Sequence, residues 1–207
     1  MVLKKILVAI FSIEIVFLGK KWYKYIEEEK RNSRTNKLEE KKMGEIEAVN
    51  IQVNADIGDV ADWFLLKENM SNKKIQKLCY YAQAWSLAKL DTDISTNCTF
   101  EAWVHGPVNM KLYKKFKSFG WRSLKIVESD IKMVTDKVNA VFCAEQKEVL
   151  EAVWDTYGML SADELEALTH EEKPWKEQRK GLNPFENSRN EISVETMKEF
   201  YRSIALD

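Results

Sequence analysis

Apolar residues recur at helical spacing through most of the chain, and one stretch breaks that rhythm. Residues 102–120 read AWVHGPVNMKLYKKFKSFG. The run opens as a short extended segment, Phe100–Val104, in which Glu101 interrupts the apolar residues, and it turns at His105-Gly106. It restarts as a helix with Pro107 near its first turn, because proline has its φ already set for a helix start. Val108, Leu112, Tyr113, Phe116 and Phe119 then fall on one face, Lys111, Lys114, Lys115 and Lys117 lie mostly off it, and Gly120 stops the run. The spacing predicts a corner of strand, turn and amphipathic helix around which the rest packs.

Helices are predicted on both sides of that corner. Asp56 is a plausible N-cap for a helix whose face carries Val60, Trp63 and Phe64, ending near Asn69. Ser71 or Asn72 caps the next helix, where Ile75, Leu78, Cys79, Ala82, Trp85 and Leu87 keep a three-to-four spacing as far as Leu90. Lys77, Tyr80, Tyr81 and Gln83 are placed at its flanks, and Asp91–Thr96 is a polar loop. Residues 123–141 have mixed periodicity and stay open between strand and helix. Ala144–Tyr157 reads as a helix stopped by Gly158, and Ser161 with Glu164 forms a capping-box signature for a helix reaching His170. Pro174-Trp175 breaks the chain, residues 181–190 form a loop, and Ser193 starts a last helix with Met197, Phe200, Tyr201 and Ile204 on one face. No internal repeat is present. The fold class is mainly α: a compact helical domain over residues 56–207 with a small β element.

The first 55 residues differ in character. Residues 6–19 are apolar but for Ser12 and Glu14, and lysines flank them. As a helix they span about 21 Å against a bilayer core of roughly 30 Å. Extension from Val2 to the Trp22-Tyr23-Tyr25 cluster makes the run long enough to cross. Residues 1–25 therefore read as a membrane anchor, with a cleaved signal peptide or a hydrophobic docking helix as the other readings. A carboxylate at Glu14 opposes the anchor reading, and lysine placement weakly favours a domain on the cytoplasmic side. Residues 26–55 are dense in Glu, Lys and Arg and form a charged tether.

The chain has 207 residues, net charge −1, three cysteines and no CxxC pair. Near-neutral charge gives no support for nucleic-acid binding, and Cys79, Cys98 and Cys143 read as reduced thiols. His170-Glu171-Glu172 lacks the second histidine of a zinc-protease helix, since Pro174 stands at i+4 of His170. His105-Gly106 has no accompanying nucleophile motif, so His105 reads as a turn residue bonding neighbouring backbone. No catalytic group, metal site or cofactor is expected.

Several blocks together resemble a known family. Lys77-Leu78-x-Tyr80-Tyr81-Ala82-Gln83-Ala84-Trp85 precedes Phe100-Glu101-Ala102-Trp103-Val104-His105-Gly106-Pro107-Val108 and Tyr113. Tyr157-Gly158, Leu160-Ser161, Leu165, Leu168-Thr169-His170 and Pro174-Trp175 follow. This order resembles the Panacea, or SocA-like, antitoxin domain over roughly residues 56–202. The resemblance implies a mostly helical, non-enzymatic antitoxin that neutralises a toxin encoded nearby by direct binding. The alternative it offers is an adaptor delivering the toxin to a ClpXP-type protease. The apolar N-terminus and charged tether depart from the family pattern; reduced thiols and lysine placement read as a cytoplasmic domain, which residues 2–25 would tether to the inner face of the membrane. Trp103, His105, Tyr113 and Lys114 are the expected toxin contacts. Leu78, Tyr80, Trp85, Gly106, Pro107, Val108, His170, Pro174 and Trp175 are expected to hold the fold.

Overall fold

A computed structural model describes residues 55–206. The expected anchor and nearly all of the tether lie outside these residues. Among the described residues no helix is long and apolar enough to cross a membrane.

Helix α1 (Ile57–Lys67) starts at Asp56, whose carboxylate accepts from the Gly58 N–H while Asp59 accepts from the Asp56 N–H. That reciprocal pair satisfies donors a helix start leaves open. Helix α2 (Asn72–Leu90) is capped by Ser71 and forms the axis of the fold. Every residue from Ile75 to Ala88 is buried. The expected flank positions Lys77, Tyr80, Tyr81 and Gln83 are therefore interior, since α2 is enclosed by α1, the hairpin and three further helices.

The hairpin comprises β1 (Glu101–Trp103) and β2 (Gly106–Val108), antiparallel, with Ala102 opposite Pro107 and Trp103 opposite Gly106. Pro107 thus belongs to a strand and not to the helix start expected from the sequence. Two-residue closure at Val104-His105 is followed by Gly106 at φ +87°, a region glycine enters freely. Pro107 is tolerated because β2 is the outer strand. The other side of β1 is occupied: Ala102 N–H donates to Asn190 O, and Ile192 N–H donates to Phe100 O. Helix α3 (Met110–Phe116) is started instead by Asn109, whose Oδ1 accepts from the Lys111 and Leu112 N–H groups. Val108 is consequently a strand residue, and Phe119 sits in a single 3-10 turn that Gly120 closes.

The undecided stretch contains an extended contact, where Leu124 and Met70 exchange backbone hydrogen bonds, and then α4 (Ile131–Val141). Helices α5 (Ala144–Tyr157) and α6 (Ala162–Glu171) match the sequence expectation, including the Ser161–Glu164 capping box. Pro174 does not simply break the chain; it opens a short helix, α7 (Lys173–Gln178), where a missing N–H costs nothing. Helix α8 (Val194–Leu206) closes the described chain. Its Tyr201 packs edge-on to Tyr80, Tyr81 and Trp85, and Tyr81 lies flat on Tyr157 at 3.9 Å. The described fold is mainly α with one two-stranded sheet, as the apolar spacing predicts.

Candidate functional site

Three elements hold the hairpin rigidly against α2. Gln76 reaches from α2 to the end of β2: its Oε1 accepts from Asn109 N–H at 2.8 Å and its Nε2 donates to Asn109 O at 3.2 Å. Asn109 Nδ2 donates to the Asn97 and Thr99 carbonyls, fixing the approach to β1. From the far side Trp175 Nε1 donates to Trp103 O at 2.9 Å, and Arg179 Nη1 donates to Ala102 O at 3.0 Å. Arg179 also ties down the Asn183, Pro184 and Glu186 carbonyls. Buried polar groups so fully matched specify one geometry.

Lys77 lies beneath the turn, 1% exposed, with its ammonium donating to Pro107 O at 3.0 Å. Burial pulls its pKa from 10.5 down to about 7; Glu166 opposes that fall and Lys73 adds to it. A Cβ on Gly106 would stand 2.7 Å from Lys77 Cε and 2.8 Å from Thr169 Oγ1. Gly106 is thus required twice over, by φ and by the close approach of two side chains.

His105 does not bond neighbouring backbone, as its turn position suggests. Its ring is 75% exposed, and Nδ1 lies 3.1 Å from Glu166 Oε1 on α6. Lys73 of α2 pairs with Glu166 as well, and with Asp163 at 2.7 Å. Burial disfavours the Glu166 carboxylate, but Lys73 and His105 outweigh it and hold the pKa below the ordinary value. His170 stacks on Trp175 at 3.9 Å, and burial lowers its pKa to about 4, so it stays neutral. Behind it, Glu172 is turned inward to accept from Tyr81 OH at 3.1 Å and Tyr201 OH at 2.7 Å. Burial raises its pKa to about 7. Cys79 and Cys98 are buried, and burial pushes both thiols up, away from the reactive thiolate.

Two clefts flank His105. One, of about 530 Å³, runs from His105 past His170 and Trp175 to Phe185. The other, of about 580 Å³, lies between the start of α2, the hairpin and α3. Trp103, His105 and Tyr113 all line it, with the Trp103 and Tyr113 rings 4.9 Å apart. Trp103 is further held by its Nε1, which donates to Glu101 at 2.7 Å. Lys114 is not in the wall, being on the exposed side of α3, and Lys117 one turn on takes that place. The sequence reading missed Lys73, Lys117, Asp163 and above all Trp121, which lines the cleft and is 99% exposed. A tryptophan directly after a helix-stopping glycine, outside any periodic run, was the available signal.

Leu78, Tyr80 and Trp85 are buried in α2, Gly106, Pro107 and Val108 form β2, and Pro174 is buried at the head of α7. Among the described residues no group of three or more His, Cys, Asp or Glu side chains could hold a metal ion.

The fold and the cleft together define a helical module that presents a braced hairpin and an aromatic groove. Residues 75–176 match the family model described as antitoxin SocA-like, Panacea domain. The match runs from the first buried turn of α2 to Lys176, so it contains Gln76, Asn109 and Trp175 of the brace, and Arg179 lies just beyond it. No curated protein and no solved structure matches the chain.

Proposed function

We propose that the protein is the antitoxin of a toxin–antitoxin pair and neutralises its toxin by direct contact through the cleft of Trp103, Tyr113 and Trp121. The observation that carries this reading is Trp121, an almost fully exposed tryptophan in the wall of a groove that a fixed Trp103–Tyr113 pair also lines. Exposed aromatics beside preformed apolar grooves are the usual anchors of protein interfaces, and a rigid groove loses little entropy on binding. His105 and Lys117 at the groove edge supply polar contacts. The SocA-like family match supports an antitoxin role, and the histidines serve the hairpin instead of a nucleophile.

The test is growth rescue. The protein encoded by the adjacent gene is induced with the full chain, and with Trp121→Ala or Tyr113→Ala. Rescue by wild type and failure by both variants at equal soluble levels is the expected result. Rescue undiminished by either substitution would move the contact face elsewhere. Toxin that persists in complex means sequestration, whereas toxin that disappears means delivery to a protease of the ClpXP type. Tethering through residues 2–25 is part of the proposal on sequence grounds, and a full chain that fractionates entirely as soluble removes it.

A further inference from the structure

The segment that forms one side of the groove carries a charge asymmetry that the aromatic walls do not explain. From Ala102 to Val127 the chain has six Lys and Arg residues and no Asp or Glu, in a protein whose net charge is −1. Two of the six are paired on the α1 side: Lys111 with Asp56 and Lys115 with Asp62 at 3.1 Å. The other four are Lys114, Lys117, Arg122 and Lys125, and among the described residues none of them has an acidic partner. Arg122 donates only to the Ser118 and Phe119 carbonyls. Elsewhere exposed lysines commonly find a carboxylate, as Lys67 does with Glu151, Lys132 with Asp136 and Lys176 with Glu171. Among the described residues Lys173, Lys180 and Arg189 also lack a carboxylate, but four such cations fall within twelve residues in the segment that carries Tyr113 and Trp121.

The side formed by the starts of α2 and α6 has a different character. Asp163 lines the groove there and is paired with Lys73, while Glu166, which lines the neighbouring cleft, is paired with Lys73 and His105. Asp163 is 91% exposed. A continuous polyanion laid through the groove would meet that carboxylate, which disfavours a nucleic-acid strand. A protein segment has no such difficulty, because its charges are discrete and its apolar residues can face Trp103 and Trp121.

Resting on the antitoxin reading, we infer that the groove takes an acidic segment of the toxin, with a bulky apolar side chain seated between Trp103, Tyr113 and Trp121. At least two carboxylates of that segment pair with Lys117, which lines the groove, and with the neighbouring exposed cations Lys114, Arg122 and Lys125 outside its lining. Exposed pairs of this kind contribute more to encounter rate and partner choice than to lifetime, and salt weakens them.

The experiment is binding of the full chain to the purified product of the adjacent gene, by biolayer interferometry at 50 and 500 mM NaCl. Variants are Lys114→Glu/Lys117→Glu, Trp121→Ala and, as a control on exposed cations outside the groove, Lys180→Glu/Arg189→Glu. The expected result is an affinity about tenfold or more weaker for Lys114→Glu/Lys117→Glu at low salt, mostly in the association rate, with the gap narrowing at high salt. The control binds as wild type. Wild-type affinity in Lys114→Glu/Lys117→Glu with a large loss in Trp121→Ala overturns the acidic segment and leaves the groove as the toxin site. Wild-type affinity in both overturns the groove itself. Two further outcomes overturn the inference while toxin binding is unchanged in the charge variant. Loss of binding to a fluorescein-labelled oligouridylate would assign these cations to nucleic acid. Loss of a wild-type dimer in light scattering would assign them to a second copy of this chain.

Discussion

Lys77→Met isolates the one lysine that the fold encloses completely among the described residues. The native ammonium is 1% exposed, donates to Pro107 O, and has no carboxylate paired with it among the described residues. Its pKa falls from 10.5 to about 7, chiefly through burial. The direction fixes the sign. Between those values the unfolded chain holds the proton and the folded chain does not, so stability rises with pH by up to about 1.4 kcal/mol per unit. Integrated from pH 7.0 to 8.5, the gain is roughly 2 kcal/mol. Methionine preserves most of the aliphatic stem and does not titrate. Loss of the bond to Pro107 O subtracts about 1 kcal/mol at every pH and leaves the slope alone. Urea unfolding of both proteins at pH 7.0 and 8.5 reads the difference directly. Wild type should gain roughly 2 kcal/mol on Lys77→Met across that interval. A difference that stays constant to within about 0.5 kcal/mol would refute the claim that the buried amine sheds its proton on folding. The thiols ionise higher in the folded chain, which is why the window stops short of pH 9.

Gly106→Ala should cost about 2–4 kcal/mol, since the residue has φ +87° and its new methyl would press on Lys77 and Thr169. In a circular-dichroism melt that lowers Tm by roughly 5–15 °C, and a Tm within about 2 °C of wild type contradicts it. Glu172→Gln tests the opposite sign of titration. Burial raises the Glu172 pKa to about 7, so the folded chain keeps a proton the unfolded chain has lost, and wild-type stability falls between pH 4.5 and 7. Glu172→Gln should gain on wild type by something on the order of 2 kcal/mol between pH 5 and 7.5, and parallel pH profiles from urea melts would exclude it. Trp121→Ala should leave Tm within about 2 °C, because the ring is 99% exposed, while toxin affinity falls at least about tenfold. A large drop in Tm would show the ring to be a structural element.

The chain itself determined most of the helices, while α4 stayed open, α7 was read as a break and α3 was started too early. Apolar residues every three or four positions, together with Asp56, Ser71 and the Ser161–Glu164 box, are local signals, and local hydrogen bonds honour them. The hairpin was legible only as a corner. Its second strand was mistaken for a helix start because Pro107 suits both, and the choice was made by distant groups: Gln76 on β2, Trp175 and Arg179 on β1. Burial of Lys77, Tyr80, Tyr81 and Gln83 was likewise invisible, since periodicity reports one buried face and α2 is enclosed on every side.

The site divides in the same way. Trp103, His105 and Tyr113 could be singled out because they crowd one short stretch, and packing does bring them to one groove. Lys73 and Asp163 come from helices 90 residues apart, and no local pattern announces such a meeting. Residue type and spacing determine where backbone hydrogen bonds close. Which side chains face one another across a groove depends on how complete helices pack, and only the tertiary structure decides that.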